Sequence, residues 1–138
     1  MLSAADERLW ARIKPLMARE RYQPPRVRDY SDALRAPEND VRELLRRLAK
    51  MGQVVQVAHD HFFLRTSVAE MATIADRVAS SSPDKTVTAG AFRDKIGSGR
   101  KVAIQILEFF DRAGVTVRRG DARLVRRDKL DRFGAVEG

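Results

Sequence analysis

The sequence contains no cysteine, which excludes a disulfide, a cysteine-ligated zinc site and a thiol nucleophile. Histidine is also scarce, with two copies, His59 and His61. Long apolar runs are missing, and the N-terminal MLSAADERLW carries acids and an arginine where a signal peptide needs its apolar core. These absences argue against a membrane segment and a secretory signal, and we expect a cytoplasmic location.

Charge, by contrast, is abundant and mostly positive. The chain has 138 residues, 43% apolar and 33% charged, which is typical of a globular protein with one ordinary domain or two small ones. A formal net charge of +8 and a pI of about 10.6 favour a polyanionic partner, most simply a nucleic acid. Proteins that bind no nucleic acid can be equally basic, so composition alone does not decide the matter.

The stretch from Val87 to Arg127 has the pattern of a helix, a turn, a second helix and a β-hairpin. The first helix spans Ala89 to Ile96, and after Gly97-Ser98-Gly99 the apolar residues from Arg100 to Ala113 recur at helical spacing. Gly114 is a C-cap, and the following VTVRRGDARLV reads as two short strands around a Gly-Asp turn. This order of elements predicts a winged helix.

The first half of the chain shows the same order. Ser3 predicts the N-cap of a helix that ends near Glu20 and that Pro15 should kink or divide near Lys14. The remaining predicted elements are a helix around Val27–Leu34, a helix from Pro37 to a stop at Gly52, a hairpin of Val54–Ala58 and His61–Leu64, and a helix from Ser67 to about Ser81.

A fixed offset relates the two halves. Shifting the first Gly stop, Gly52, by 62 positions gives Gly114, and the same shift places Tyr30 on Phe92 and Leu48 on Phe110 without gaps. We therefore predict a mainly α fold with small β-hairpins, built as tandem winged helices. The predicted units are residues 1–66, a spacer or scaffold, and residues 67–138, the nucleic-acid-binding unit.

The assignment of binding to the second unit depends on charge. Residues 85–127 hold 11 lysines and arginines against 4 acids. The third helix of the second unit starts with two cations, at a place where unpaired backbone N–H groups favour an anion. The first unit has Glu38 and Asp40 at the equivalent place. The candidate binding residues are Arg93 on the second helix, Ser98, Gly99, Arg100 and Lys101 at the start of the third, and Arg118, Arg119, Asp121 and Arg123 on the wing.

Plainer interpretations compete with these. The wing arginines can be a solvated, charge-protected hairpin, and the helix-start cations ordinary exposed positions. Arg93 and Lys95 flank Asp94, so Arg93 can serve in an intramolecular pair. The pair His59 and His61 fits a turn better than a metal site, because no third ligand is near. No nucleophile lies beside a base and no P-loop is present, so we expect neither catalysis nor a nucleotide or metal cofactor.

The second half resembles the terminal winged-helix domain of SelB, the bacterial selenocysteine-specific translation elongation factor family. The segments that carry the resemblance are Phe92-Arg93-Asp94, Gly99-Arg100-Lys101, Ile106-Leu107-Glu108, Asp111-Arg112 and Arg118-Arg119-Gly120. The whole chain is similar to the last two of that family's four C-terminal winged helices. The first half shares mainly the architecture.

The resemblance implies that the helix start and the wing grip the selenocysteine insertion hairpin of a messenger RNA. It also implies an upstream GTPase portion, absent from this chain. That portion binds GTP and magnesium and carries selenocysteinyl-tRNA to the ribosome at an in-frame UGA codon. We expect the chain to be monomeric and to bind no membrane. A DNA-binding transcription regulator and a protein-interaction scaffold remain alternatives, and both would use the same winged helices.

Overall fold

The computed structural model describes residues 1–134 and divides the chain into two compact units, Met1–Arg65 and Thr66–Gly138. The division falls one residue before the boundary predicted from the sequence. Each unit has three helices and a small antiparallel sheet, in the order of a winged helix. The expected fold class, mainly α with small β-hairpins in tandem, is therefore confirmed.

The first unit contains three helices followed by one hairpin. Its elements are α1 (Ala4–Arg19), α2 (Val27–Leu34), α3 (Glu38–Lys50), β1 (Val54–Ala58) and β2 (His61–Leu64). Helix α1 begins with a capping box in which Ser3 and Asp6 satisfy each other's backbone N–H groups. The hairpin is antiparallel, with Val54 opposite Leu64 and a register shift near Ala58.

Pro15 does not divide α1, so of the kink or division predicted near Lys14 the division is wrong. The helix runs without interruption through Pro15 to Arg19 and ends at Glu20 as its C-cap. Ile13 and Met17, on either side of the proline, are fully buried. Their packing stabilises both halves of the helix and offsets the hydrogen bond that the proline removes.

The second unit repeats this order and adds one strand. Its elements are α4 (Arg65–Ser81), β3 (Val87–Thr88), α5 (Ala89–Ile96), α6 (Arg100–Ala113), β4 (Thr116–Arg119) and β5 (Ala122–Val125). The bounds of α2 and α5 are 62 positions apart at both ends, as the repeat predicts. The C-terminal residues of α5 and α6 are followed by Gly97 and Gly114, whose positive φ angles of 71° and 81° suit glycine.

Strand β3 was not predicted from the sequence. It pairs with β5, with Val87 opposite Arg123, so the second sheet has three strands in the order β3-β5-β4. The residue at the matching position of the first unit is Pro25, which has no N–H to donate to a sheet. The first unit therefore keeps a two-stranded sheet, and its α2 is joined to the hairpin by the N–H of Val27, which donates to the Asp60 carbonyl at 3.0 Å.

Each unit buries its own apolar side chains. The first core consists of Ile13, Met17, Val27, Tyr30, Val41, Leu44, Leu45, Leu48, Val54 and Phe62. Buried residues of the second unit include Met71, Val87, Phe92, Ile96, Val102, Ile106, Leu107, Phe110 and Val115. Because α6 packs against both α5 and β4, the fold itself sets where the start of α6 lies relative to the wing.

The C-terminal segment returns to α6. A short 3-10 helix, Arg127–Lys129, follows β5, and the Phe133 ring lies 5.5 Å from that of Phe109. Residues 135–138 lie outside the described residues.

Candidate nucleic-acid interface

The start of α6 is open to a ligand. Gly99 is the N-cap in extended conformation, and no side chain caps the helix. The Ser98 hydroxyl instead donates to the Gly99 carbonyl at 2.9 Å. A helix leaves the N–H groups of its first turn without partners inside the helix, and its dipole favours an anion there.

Two cations follow directly. Arg100 and Lys101 are exposed, and neither forms an ion pair or side-chain hydrogen bond with any other of residues 1–134. Together with Ile104, Gln105 and Glu108 they border a shallow depression of about 500 Å³ along the outer face of α6. The four residues predicted at the helix start therefore lie together at one end of α6, where unpaired positive charge adjoins an uncapped helix.

The wing presents its cations on two faces. Arg118 lies opposite Arg123, and Arg119 lies opposite Ala122, around the turn at Gly120 and Asp121. Directly opposed residues of an antiparallel pair share a face and successive residues alternate. Arg118 is thus on the face of Arg123, while Arg119 is on the other.

The side chains near the wing tip are exposed. The Arg118 Nε donates to the Gly120 carbonyl at 3.0 Å, which holds its stem against the turn. Arg119 and Asp121 are exposed and, within the described part of the chain, form no side-chain hydrogen bond or ion pair. Val117, on the same face as Arg119, is 40% exposed, although its apolar side chain gave no signal for a binding role.

Arg123 is buried, although we predicted it as a binding residue on the wing. It is 4% exposed and lies within β5. Its Nε donates to both carboxylate oxygens of Asp111, on α6, at 3.1 Å. The sheet register turns this side chain towards α6, and its guanidinium is therefore engaged inside the unit.

Arg93 is also engaged, though at the surface. Its side chain is 37% exposed and pairs with the adjacent Asp94 at 3.1 Å. This is the intramolecular pairing that the alternating charges suggested. An exposed pair of this kind is weak, about 0 to 1 kcal/mol, so it does not prevent Arg93 from exchanging partners.

The start of the third helix has the opposite charge in the first unit, and its cations lie further along the helix. The first turn of α3 carries Glu38 and Asp40. Further along α3, Arg42 donates to both carboxylate oxygens of Asp60 in the hairpin turn, each at 2.8 Å. This bidentate pair, about four-fifths buried on each side, ties the turn to the helix and lowers the pKa of Asp60.

The two histidines have separate roles. His61 is buried, its Nε2–H donates to the Pro24 carbonyl at 2.7 Å, and burial lowers its pKa to about 4. His59 is 90% exposed, 3.6 Å from Asp60. In the part of the chain that the structure describes, no three or more His, Cys, Asp or Glu side chains form a group that could hold a metal ion.

No helix among residues 1–134 has the length and apolar character required to cross a bilayer.

Two family models match the chain. A model described as "Selenocysteine-specific elongation factor, winged helix domain" matches residues 2–63. A model described as "Elongation factor SelB, winged helix" matches residues 81–125. Both describe winged-helix domains, not a catalytic domain.

Curated relatives have the same description. The chain is 35% identical over 127 residues to the selenocysteine-specific elongation factor of Escherichia coli (strain K12), covering 90% of this chain and 19% of the relative. It is 31% identical over 100 residues to that of Haemophilus influenzae, covering 72% of this chain and 16% of the relative. The chain thus spans about a fifth or less of the length of these relatives.

A solved structure matches over almost its whole length. It is described as the mRNA-binding domain of elongation factor SelB from E. coli in complex with SECIS RNA. The TM-score is 0.81 at 33% sequence identity, and the match covers 91% of this chain and 99% of that one. At this identity and coverage, the likeness extends to the sequence and is not limited to the fold.

Proposed function

Because the chain belongs to the SelB family of selenocysteine-specific elongation factors, we propose that it binds the selenocysteine insertion hairpin of a messenger RNA. The observation that carries this proposal is the unpaired cationic start of α6, in the same unit as an exposed basic wing. The proposal is supported by the likeness to the mRNA-binding domain of E. coli SelB, whose solved structure is a complex with SECIS RNA.

An RNA hairpin suits this surface better than duplex DNA. The major groove of A-form RNA is too narrow for α6 to enter, so the helix start binds the backbone while sequence is read at loop or bulged bases. Arg100 and Lys101 bind phosphates, helped by the small turn at Ser98 and Gly99. These contacts position the RNA and give affinity without reading sequence.

The wing supplies the second set of contacts. Arg118 and Arg119 bind phosphates from the two faces of the hairpin, and Asp121 at the tip accepts a hydrogen bond from an unpaired base edge. Arg93, released from Asp94, is a peripheral contact. Arg123 supports the wing from within and does not touch the RNA.

In the full-length factor this binding tethers a GTPase portion, with its GTP and magnesium, to a messenger RNA whose in-frame UGA codon the ribosome recodes. The chain itself uses no cofactor and acts as a monomer in the cytoplasm, where translation takes place. Its first unit serves as a spacer, since the start of α3 presents acids that repel phosphate.

The test is fluorescence anisotropy with three labelled probes. They are the hairpin that follows an in-frame UGA codon in a selenoprotein message of the same organism, the hairpin with its loop sequence altered, and a DNA duplex of equal length. We expect tight binding of the first probe alone. Preference for the duplex would support a transcription regulator, and binding of none of the probes would support a protein scaffold.

Salt dependence tests the phosphate contacts. If Arg100, Lys101, Arg118 and Arg119 each contact one phosphate, log K should fall against log salt with a slope of roughly −3 to −4. The double variant R100Q/K101Q should make the slope shallower by about 1.5. The matched control R28Q/K50Q removes the same charge from exposed sites of the first unit and should leave the slope unchanged. A slope near zero for the wild type contradicts the proposal.

A further inference from the structure

One carboxylate holds both strands of the wing against α6. Asp111, in the last turn of the helix, accepts hydrogen bonds from the Thr116 hydroxyl at 2.6 Å and from the Arg123 Nε at 3.1 Å. Thr116 begins β4, and Arg123 lies in the middle of β5. The Asp111 carboxylate thus links Thr116, at the base of the wing, to Arg123, closer to its turn, and the Arg123 side chain is 5% exposed.

The network also explains a charge placement that would otherwise be unfavourable. Arg118 and Arg123 are directly opposite each other and share a face of the hairpin. Like charges at such positions destabilise a hairpin. The Asp111 carboxylate neutralises Arg123, so Arg118 can keep its charge beside it.

The winged-helix fold does not require this network, because the first unit lacks it. The positions that match Asp111, Thr116 and Arg123 in the repeat are Ala49, Val54 and His61. There His61 donates to the Pro24 carbonyl, and the hairpin turn is held to the third helix by Arg42 and Asp60. In the second unit those two positions are Ile104 and Ala122, so its turn has no such anchor.

We propose that Asp111, Thr116 and Arg123 are positioning residues that fix the direction of the wing relative to α6 for RNA binding. This inference rests on the proposed function. The network holds both strands of the wing against α6. It leaves the tip of the wing, with its exposed Arg119 and Asp121, free to contact the RNA. A wing that is already ordered loses less conformational entropy on binding than a loose one.

The decisive experiment uses two variants that change the charge in opposite directions. D111N raises the net charge by one and R123M lowers it by one. Positioning predicts that both weaken binding of the UGA-linked hairpin, each by roughly tenfold, as supporting residues at other sites do. If Arg123 contacted the RNA directly, D111N would release its guanidinium and strengthen binding while R123M weakened it.

Further variants separate positioning from a general loss of stability. The double variant D111N/R123M buries no charge and should bind no more weakly than the weaker single variant, because the network is already broken. T116V should lose affinity while T116S retains it. D131N, the same charge change at an exposed position outside α6 and the wing, should not lose affinity. Circular dichroism confirms that each variant is folded at the temperature of measurement.

The outcomes distinguish this inference from the proposed function. If the wild type binds none of the hairpins, the proposed function is overturned and the inference with it. If the wild type binds and D111N binds as tightly or more tightly, the inference alone is overturned. Loss of affinity in both oppositely charged variants, with T116S unaffected, supports it.

Discussion

Lowering the pH from 7 to 5 should destabilise the first unit through His61. The folded unit holds this ring neutral, with its pKa lowered by burial from 6.5 to about 4. Between these two values the unfolded chain binds the proton and the folded chain does not, so stability falls as the pH falls. Combining the two pKa values gives a loss of about 2 kcal/mol between pH 7 and pH 5.

The chain provides a selective probe for this measurement. Trp10 is its only tryptophan, it packs partly buried against the first core, and both tyrosines also lie in the first unit. Urea unfolding followed by tryptophan fluorescence therefore reports the first unit alone. In thermal unfolding, a unit of this size should lose roughly 10 °C in Tm for the same change.

Two variants complete the test. H61Q keeps a side chain that can donate to the Pro24 carbonyl but does not titrate, so its unfolding free energy should be nearly constant between pH 5 and pH 7. H59Q, at an exposed position, should keep the wild-type dependence. The lowered carboxylate pKa of Asp60 acts below this window, since stability from that group is fully present above about pH 4. A wild-type unfolding free energy that does not change between pH 7 and pH 5 would refute the reasoning.

Two further predictions concern the stability of each unit. D60N should keep the left-handed backbone at φ 51°, which asparagine tolerates, but remove the negative charge that pairs with Arg42. We expect the unfolding free energy of the first unit, followed by tryptophan fluorescence, to fall by about 1 to 3 kcal/mol. An unchanged unfolding midpoint would show that the pair contributes nothing to stability. F110A removes a fully buried ring from the second core and should lower the unfolding free energy of that unit by about 3 to 5 kcal/mol. Far-ultraviolet circular dichroism should detect this change, while the tryptophan transition of the first unit stays the same. An equal loss of stability in both signals would contradict independent cores.

The helices were predictable because their signal is local. Apolar residues at helical spacing, glycine stops and capping residues gave α2, α5 and α6 with bounds close to those observed. Strand β3 was missed because two residues are too few to show alternation. Whether such a segment pairs depends on β5, more than thirty residues later, and on whether a proline occupies its place.

The candidate site was predictable in part for a related reason. The exposed cations at the start of α6 follow from sequence order, since the turn and the helix are contiguous. The burial of Arg123 does not, because it depends on Asp111 twelve positions earlier and on the register of the wing. Arginines on a strand look alike in sequence whether they face solvent or an internal carboxylate.

The two hairpins contact the third helix of their units at different places, and this difference affects which substitutions each hairpin tolerates. Where the helix contacts the hairpin at its turn, as Arg42 contacts Asp60, a substitution in the turn lowers stability and is selected against. Where the contact with the helix is made from the strands, as with Asp111, Asp121 at the turn can change at little cost to folding, whereas Gly120, with φ 61°, cannot. The turn of the second hairpin can therefore change at Asp121 with less effect on stability than the turn of the first can at Asp60.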